Sequence, residues 1–248
     1  MKILSLDIET APNLAHVWSL WKQNVSLNQI INSGYTLCWA AKWYNEPKIY
    51  FDSIYESKEI DMFRGIHKLI DEADAVVHYN GTEFDMPTLN KDFILHGLKP
   101  PSTYKQIDIL KTVRSQFRFP SNKLEYVAKA LGVGQKTKHM GHQLWIDCMN
   151  DCPKAWATMK KYNKNDVVIL EKVYDKVMPW VKHHPNHNLY VDSNVPVCTN
   201  CGSKRLIKKG NAYTNAGIYK RYRCNDCGAN VRGRKSVANT KSLVVEAN

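Results

Sequence analysis

Residues 2–10 read KILSLDIET, a run in which Leu4, Leu6 and Ile8 alternate with Ser5, Asp7 and Glu9. That period of two predicts a β-strand, and side chains two apart leave the same face. Asp7 and Glu9 therefore point into one space, with the three apolar residues on the opposite face. A pair of acids on a strand is by itself common on a solvated sheet face. Its meaning depends on what the rest of the chain brings to it.

Working outward, YTLCWAAKWYN (35–45) and KIYFDSI (48–54) read as two further strands, suggesting a three-stranded antiparallel start. Residues 58–72 carry apolar side chains at helical spacing, and 75–80 (AVVHYN) is a short apolar run of buried-strand type. A helix from Met86 to His96 follows, then a short strand over 105–110 and an amphipathic helix over 123–131 closed by Gly132. A long helical stretch from Pro153 to Val181 ends this part, with a break expected near Pro179. The expected fold class is α/β, a mixed sheet flanked by helices.

Two more stretches return to the question of acids. HYNGTEFDMPTL (78–89) puts Asp85 just after the apolar run, at a strand-to-helix junction. KKYNKNDVVIL (160–170) puts Tyr162 and Asp166 four apart on a helix and so on one face. In this order LDIET, YNGTEFDMPTL and the Tyr162/Asp166 pair resemble the three exonuclease motifs of the DEDD superfamily. The second motif is especially similar to that of the proofreading domain of B-family DNA polymerases. Because Tyr162 precedes the last acid by four residues, the chain resembles the DEDDy branch. The resemblance implies an RNase H-like fold and 3′-to-5′ exonuclease activity that releases nucleoside 5′-monophosphates, with single-stranded DNA the favoured substrate. It further implies that Asp7, Glu9 and Asp166 hold a water-activating ion, that Asp7 bridges to a second, and that Asp85 supports the second ion mainly through waters. Tyr162 is then expected to orient the attacking water.

The chemistry calls for these residue types. Phosphodiester hydrolysis needs a nucleophile at neutral pH and compensation for charge on the phosphate, which two divalent ions about 3.5–4 Å apart can supply. Four gathered acids repel one another without cations. Hard oxygen ligands suit two Mg2+ or Mn2+ ions. Asn80, five residues before Asp85, is a candidate contact to the terminal nucleotide. Asp108 is expected to be a polar residue near a strand end, and His78 to satisfy a hydrogen bond within its strand. His139 and His142 read as solvated loop residues, and His183, His184 and His187 as part of a linker.

Charge and cysteine divide the chain in two. Of the formal net charge of +12, residues 1–196 carry +3 (24 basic, 21 acidic), and 197–248 carry +9 (11 basic, 2 acidic). Cys198, Cys201, Cys224 and Cys227 form two CxxCG knuckles separated by 22 residues. With no export signal, such pairs read as metal ligands rather than disulfides. Four thiolates predict one structural Zn2+ in a zinc ribbon. Between the knuckles, IYKRYR (218–223) alternates basic and aromatic residues. In a hairpin Tyr219, Arg221 and Arg223 would share one face, and Lys220 with Tyr222 the other. Tyrosines can stack on unpaired bases and arginines bind phosphates, making these residues candidate nucleic-acid contacts; the alternative is that the tyrosines form the ribbon's small core.

The expected organisation is thus a catalytic domain over 1–182, a linker over 183–197, a zinc ribbon over 198–230 and a basic tail over 231–248. A hydrophobic content of 44% excludes global disorder. No window has the ~18 uninterrupted apolar residues a membrane span needs. The expected setting is the cytoplasm of a bacterium or a phage-infected host. The expected partners are nucleic acid, single-stranded or with a free 3′ end, and a replication or repair protein. A structure-specific endonuclease of the same fold and a nucleic-acid-binding adaptor with an inactive nuclease domain are the competing readings.

Overall fold

The computed structural model describes residues 1–135, 137 and 140–238, so His139 lies outside the described residues. The first unit contains β1 (Ile3–Thr10), β2 (Leu14–Ala15), β3 (Ile30–Asn32), β4 (Thr36–Trp43), β5 (Ile49–Ser53), α1 (Glu59–Asp71), β6 (Ala75–His78) and α2 (Asp85–Leu95). It continues with β7 (Lys105–Asp108), α3 (Ile109–Gln116), α4 (Leu124–Ala130), α5 (Gln143–Met149) and α6 (Pro153–Val177). The main sheet has the order β5-β4-β1-β6-β7. Strand β1 lies at its centre, antiparallel to β4 and parallel to β6. The mixed sheet expected from the sequence is therefore present, with its opening three strands antiparallel.

Register assigns the two faces. Asp7 lies opposite Ala40 and Glu9 opposite Cys38, and opposed residues share a face. The other face, with Leu4, Leu6, Ile8 and Trp39, packs on Met62, Phe63, Ile66 and Ile70 of α1 and on Met86, Leu89 and Phe93 of α2. On the acid-bearing side, Ile3, Ala75, Val77 and Ile107 pack on α3, α4 and the C-terminal half of α6. Nearer the acids, Leu37 and Cys38 meet α5 and the N-terminal half of α6. Among the described residues no helix is long and apolar enough to cross a membrane.

The structure differs from the sequence reading in a few elements. The strand expected over 105–110 ends at Asp108, whose carboxylate accepts from the backbone N–H groups of Leu110 (3.0 Å) and Lys111 (3.4 Å) and starts α3. Helix α5, seven residues long, is too short to carry a legible period and has no counterpart in the sequence reading. Helix α6 stops at Val177, and Pro179 sits in a single 3-10 turn over Met178–Trp180.

Strands β8 (Leu206–Thr214), β9 (Gly217–Cys224) and β10 (Asn230–Ser236) form a separate antiparallel sheet. Strand β10 runs through residues 231–236, which the sequence reading assigned to a tail. The segment expected to be a linker is irregular yet packed. The Tyr174 hydroxyl donates to Nε2 of His184 (2.7 Å), and the His187 N–H donates to the Thr199 carbonyl (2.9 Å). The amide of buried Asn200 donates to the Met178 carbonyl (2.9 Å), while Cys201 and Cys227 pack against the core around Tyr174. The small sheet is thereby docked on the C-terminal end of α6.

Candidate metal and nucleic-acid site

Helix α6 begins with Pro153 at its first turn and buries Trp156, Met159, Leu170, Val173 and Val177 along one stripe. Tyr162, Asn163 and Asp166 lie in the same stripe, and Asn163 is fully buried. Polar groups survive in such a stripe when they are paired. The Asn163 amide donates to Asp7 Oδ2 (2.7 Å) and to the Asp7 carbonyl (3.3 Å), and its Oδ1 faces the Cys38 thiol (3.8 Å). Through this contact α6 is registered on β1. Carboxylate oxygens of Asp7, Glu9 and Asp166 come within 4.8 Å of one another. Three negative charges at that separation in a partly buried site repel, and an oxygen-seeking divalent cation offsets the repulsion. The donor set fits Mg2+ or Mn2+.

Asp85 stands outside that group of three. It opens α2, is buried, and its Oδ1 accepts from the Ile8 N–H (3.1 Å), where β6 no longer pairs with β1. Burial pushes its carboxyl up to about 7, against hydrogen bonds that lower it. The loop leading to it is shaped by His78. Its Nδ1 accepts from the Gly81 N–H (3.0 Å) and its Nε2 meets Gln106 Oε1 (3.0 Å). Burial lowers the His78 pKa, so the neutral ring donates from Nε2. A side chain at Gly81 would come within 2.4 Å of that ring. The hydrogen bonding expected of His78 is present, reaching the neighbouring strand and the loop.

Asn80 follows β6 with a φ of 70°, and its N–H donates to Asp108 Oδ1 (3.0 Å). The carboxylate that caps α3 thus also fixes this turn. Asn80, Asp7 and Tyr162 line one cleft of about 620 Å3, together with Tyr79, Leu110, Arg114 and Lys123. The Tyr162 ring is held edge-on by Trp145, with centroids 5.9 Å apart. Sequence reasoning missed Asn163, Arg114 and Lys123. Asn163 was findable, since three residues before Asp166 is the same helix face. The two cations carried no local signal.

Residues 6–178 match the family model of the RNase H superfamily. The chain belongs to that superfamily. No curated protein matches it. Among solved structures, the RNase H unit is similar to the family B DNA polymerase from the hyperthermophilic archaeon Pyrobaculum calidifontis, with a TM-score of 0.53 and 18% identity. The match covers 72% of this chain and 24% of the polymerase chain, and at that identity the likeness is one of fold.

Beyond the RNase H unit, the four cysteines of the knuckles form the second converging ligand group among the described residues. Sγ of Cys198 lies 3.5 Å from that of Cys227, and Sγ of Cys201 lies 3.6 Å from that of Cys224. A tetrahedral site with Zn–S bonds of about 2.3 Å needs sulfurs roughly 3.8 Å apart, so the thiols fit Zn2+. Gly202 and Gly228 have φ of 74° and 81°, which turns each knuckle tightly. Burial raises the Cys224 thiol, but the N–H groups of Cys227 and Asp226 turned toward its sulfur bring it down to about 7. His183, His184 and His187 form no such group.

The expected nucleic-acid contacts divide. The Arg232 guanidinium lies over the Tyr219 ring at 4.2 Å, Arg221 donates from Nε to the Lys209 carbonyl (2.9 Å), and Arg223 is exposed. Tyr222 departs from the expectation. Its half-buried ring packs against the ribbon core of Cys198, Cys224, Ala229 and Val231, because a sheet this small uses its aromatic side chains as core.

Proposed function

We propose that the protein is a metal-dependent 3′-to-5′ exonuclease of the DEDDy type, acting on single-stranded nucleic acid and releasing nucleoside 5′-monophosphates. The observation that carries this reading is the convergence of Asp7, Glu9 and Asp166 beside a cleft that Asp7 shares with Tyr162 and Asn80. Asp7, Glu9 and Asp166 would hold one Mg2+ or Mn2+, with Asp7 shared with a second ion and Asp85 supporting that second ion through water. When bound, such ions supply a nucleophile at neutral pH and neutralise charge on the phosphate. The chain's own groups do the positioning. The Asn163 amide holds the Asp7 carboxylate, and the Tyr162 hydroxyl orients the attacking water. Asn80 contacts the terminal nucleotide, and Arg114 and Lys123 receive the phosphates of the entering strand. The four knuckle cysteines hold one structural Zn2+, and Arg221, Arg223 and Tyr219 on the ribbon bind the strand further from its end. Likeness to a DNA polymerase favours DNA and a replication or repair protein as partner.

The test is a 5′-labelled oligonucleotide, as DNA and as RNA, incubated with Mg2+ or Mn2+ beside a covalently closed circle. A ladder shortening from the 3′ end, with the circle intact, is the expected result, and the faster strand identifies the sugar. Cutting of the circle would convert the reading to an endonuclease. Binding of both linear strands without cleavage would convert it to an adaptor.

A further inference from the structure

Between Glu9 and Glu46 the chain carries no carboxylate. Within this span, residues 14–32 form an arm that leaves the sheet directly after the strand carrying Asp7 and Glu9. Its legs are β2 and β3, paired through Leu14 with Asn32 and Ala15 with Ile30. The His16 N–H donates to the Gln29 carbonyl, and the Gln29 amide donates back to the His16 carbonyl, both at 2.9 Å. At the root, the Ala11 N–H donates to the Tyr35 carbonyl (2.8 Å) and the Gly34 N–H to Asn13 Oδ1 (2.6 Å). The arm is therefore a braced projection.

It turns its apolar side chains outward. Trp18 is 97% exposed, Trp21 81%, Leu20 87% and Leu27 88%. So much hydrated apolar surface on one element marks a place of contact. Beside Trp18 lies a concavity of about 420 Å3, lined also by His16, Val17, Asn28 and Gln29. One indole face, an imidazole and two side-chain amides match what a nucleobase offers, an aromatic face with hydrogen-bonding edges. Lys22 and His16 are the ionisable groups here, so nothing on the arm opposes a polyanion. The root at Ala11 is four residues along from Asp7, roughly 13 Å at ~3.3 Å per residue.

We propose that this arm is a binding site for unpaired nucleobases of the strand whose end occupies the cleft beside Asp7, with Trp18 and Trp21 stacking on them. The inference rests on the nucleic-acid reading above and adds a recognition element to it. Indole stacking accepts every base, so the contact lends grip without sequence preference. A protein partner would also cover apolar surface. The amide-lined concavity, the absence of acids and the continuity with the catalytic strand favour nucleic acid.

The test compares the full chain with a Trp18→Ala/Trp21→Ala double variant. Binding of a fluorescent single-stranded DNA 12-mer is measured without added divalent ions, beside an abasic strand of equal length. Both rings are exposed, so their removal leaves the core unchanged. The expected result is a loss of affinity of about fivefold or more for the intact strand. The abasic strand is expected to bind both proteins alike, and the salt slope to stay the same because no phosphate contact is removed. Equal affinity of the two proteins for the intact strand would overturn the proposal. So would a loss that is as large on the abasic strand. A concentration-dependent dimer in sedimentation, abolished in a variant that still binds DNA normally, would instead give the arm to a second copy of the chain. If the unaltered protein binds neither strand, the nucleic-acid reading itself falls.

Discussion

At the scale of single residues, the site depends on carboxylates that are unfavourable together until a cation joins them. Replacing Asp7 or Asp166 by Ala is expected to abolish cleavage while the circular-dichroism spectrum stays native, since each acid contributes to ion binding and the sheet and helix are held by the apolar clusters around them. Tyr162→Phe should lose less, because an orienting hydroxyl goes and no metal ligand does. Damage equal to that of Asp7→Ala would assign Tyr162 a different role. Asn163→Ala removes the donor that holds Asp7 Oδ2. Its expected signature is a raised Mg2+ requirement in a metal titration, together with a loss of ~1–3 kcal/mol in urea unfolding. The acids and the tyrosine were legible from their spacing and order. Asn163 was passed over because an Asn inside a helix has no chemistry of its own until a carboxylate is seen opposite it.

At the scale of elements, long periodic segments were readable and short ones were not. Helix α6 runs 25 residues with an apolar stripe and a Pro at its start, and both that start and the break near its end were legible. Helix α3 has eight residues, too few to establish a period, and its capping Asp108 was absorbed into the preceding strand. That cap has a wider effect than helix initiation, because Asp108 Oδ1 also accepts from the Asn80 N–H. Asp108→Ala is accordingly expected to lower stability by ~0.5–2 kcal/mol in denaturant unfolding. It should also slow cleavage, as the turn carrying Asn80 loses its anchor. A loss of stability with cleavage unchanged would separate the cap from the site.

At the scale of the whole molecule, the question is how two units share one frame. From Asp166 to Val177 is eleven residues of α6, about 16 Å of helix, and the ribbon docks at the far end through Asn200 and Met178. A sheet with so small a core depends on its metal, which contributes on the order of 10 kcal/mol in comparable peptides. A strong chelator is expected to erase hydrogen-exchange protection in β8, β9 and β10. Protection in β1, β4 and β6 should persist, with the melting temperature of the first unit lowered because Cys201 and Cys227 cover part of its core. Elemental analysis should find one zinc per chain after weakly held ions are removed, and none would remove the metal from the ribbon. By itself the sequence determined the mixed sheet, the acid set, the cysteine knuckles and the division of charge, because period, spacing and composition are local properties of the chain. Only the tertiary structure decided that Asn163 meets Asp7, that Asp108 joins α3 to Asn80, that Tyr222 belongs to a core and that the linker is a docked joint. Each of those is a contact between segments far apart in the chain, and such contacts exist only once packing has chosen which surfaces face each other.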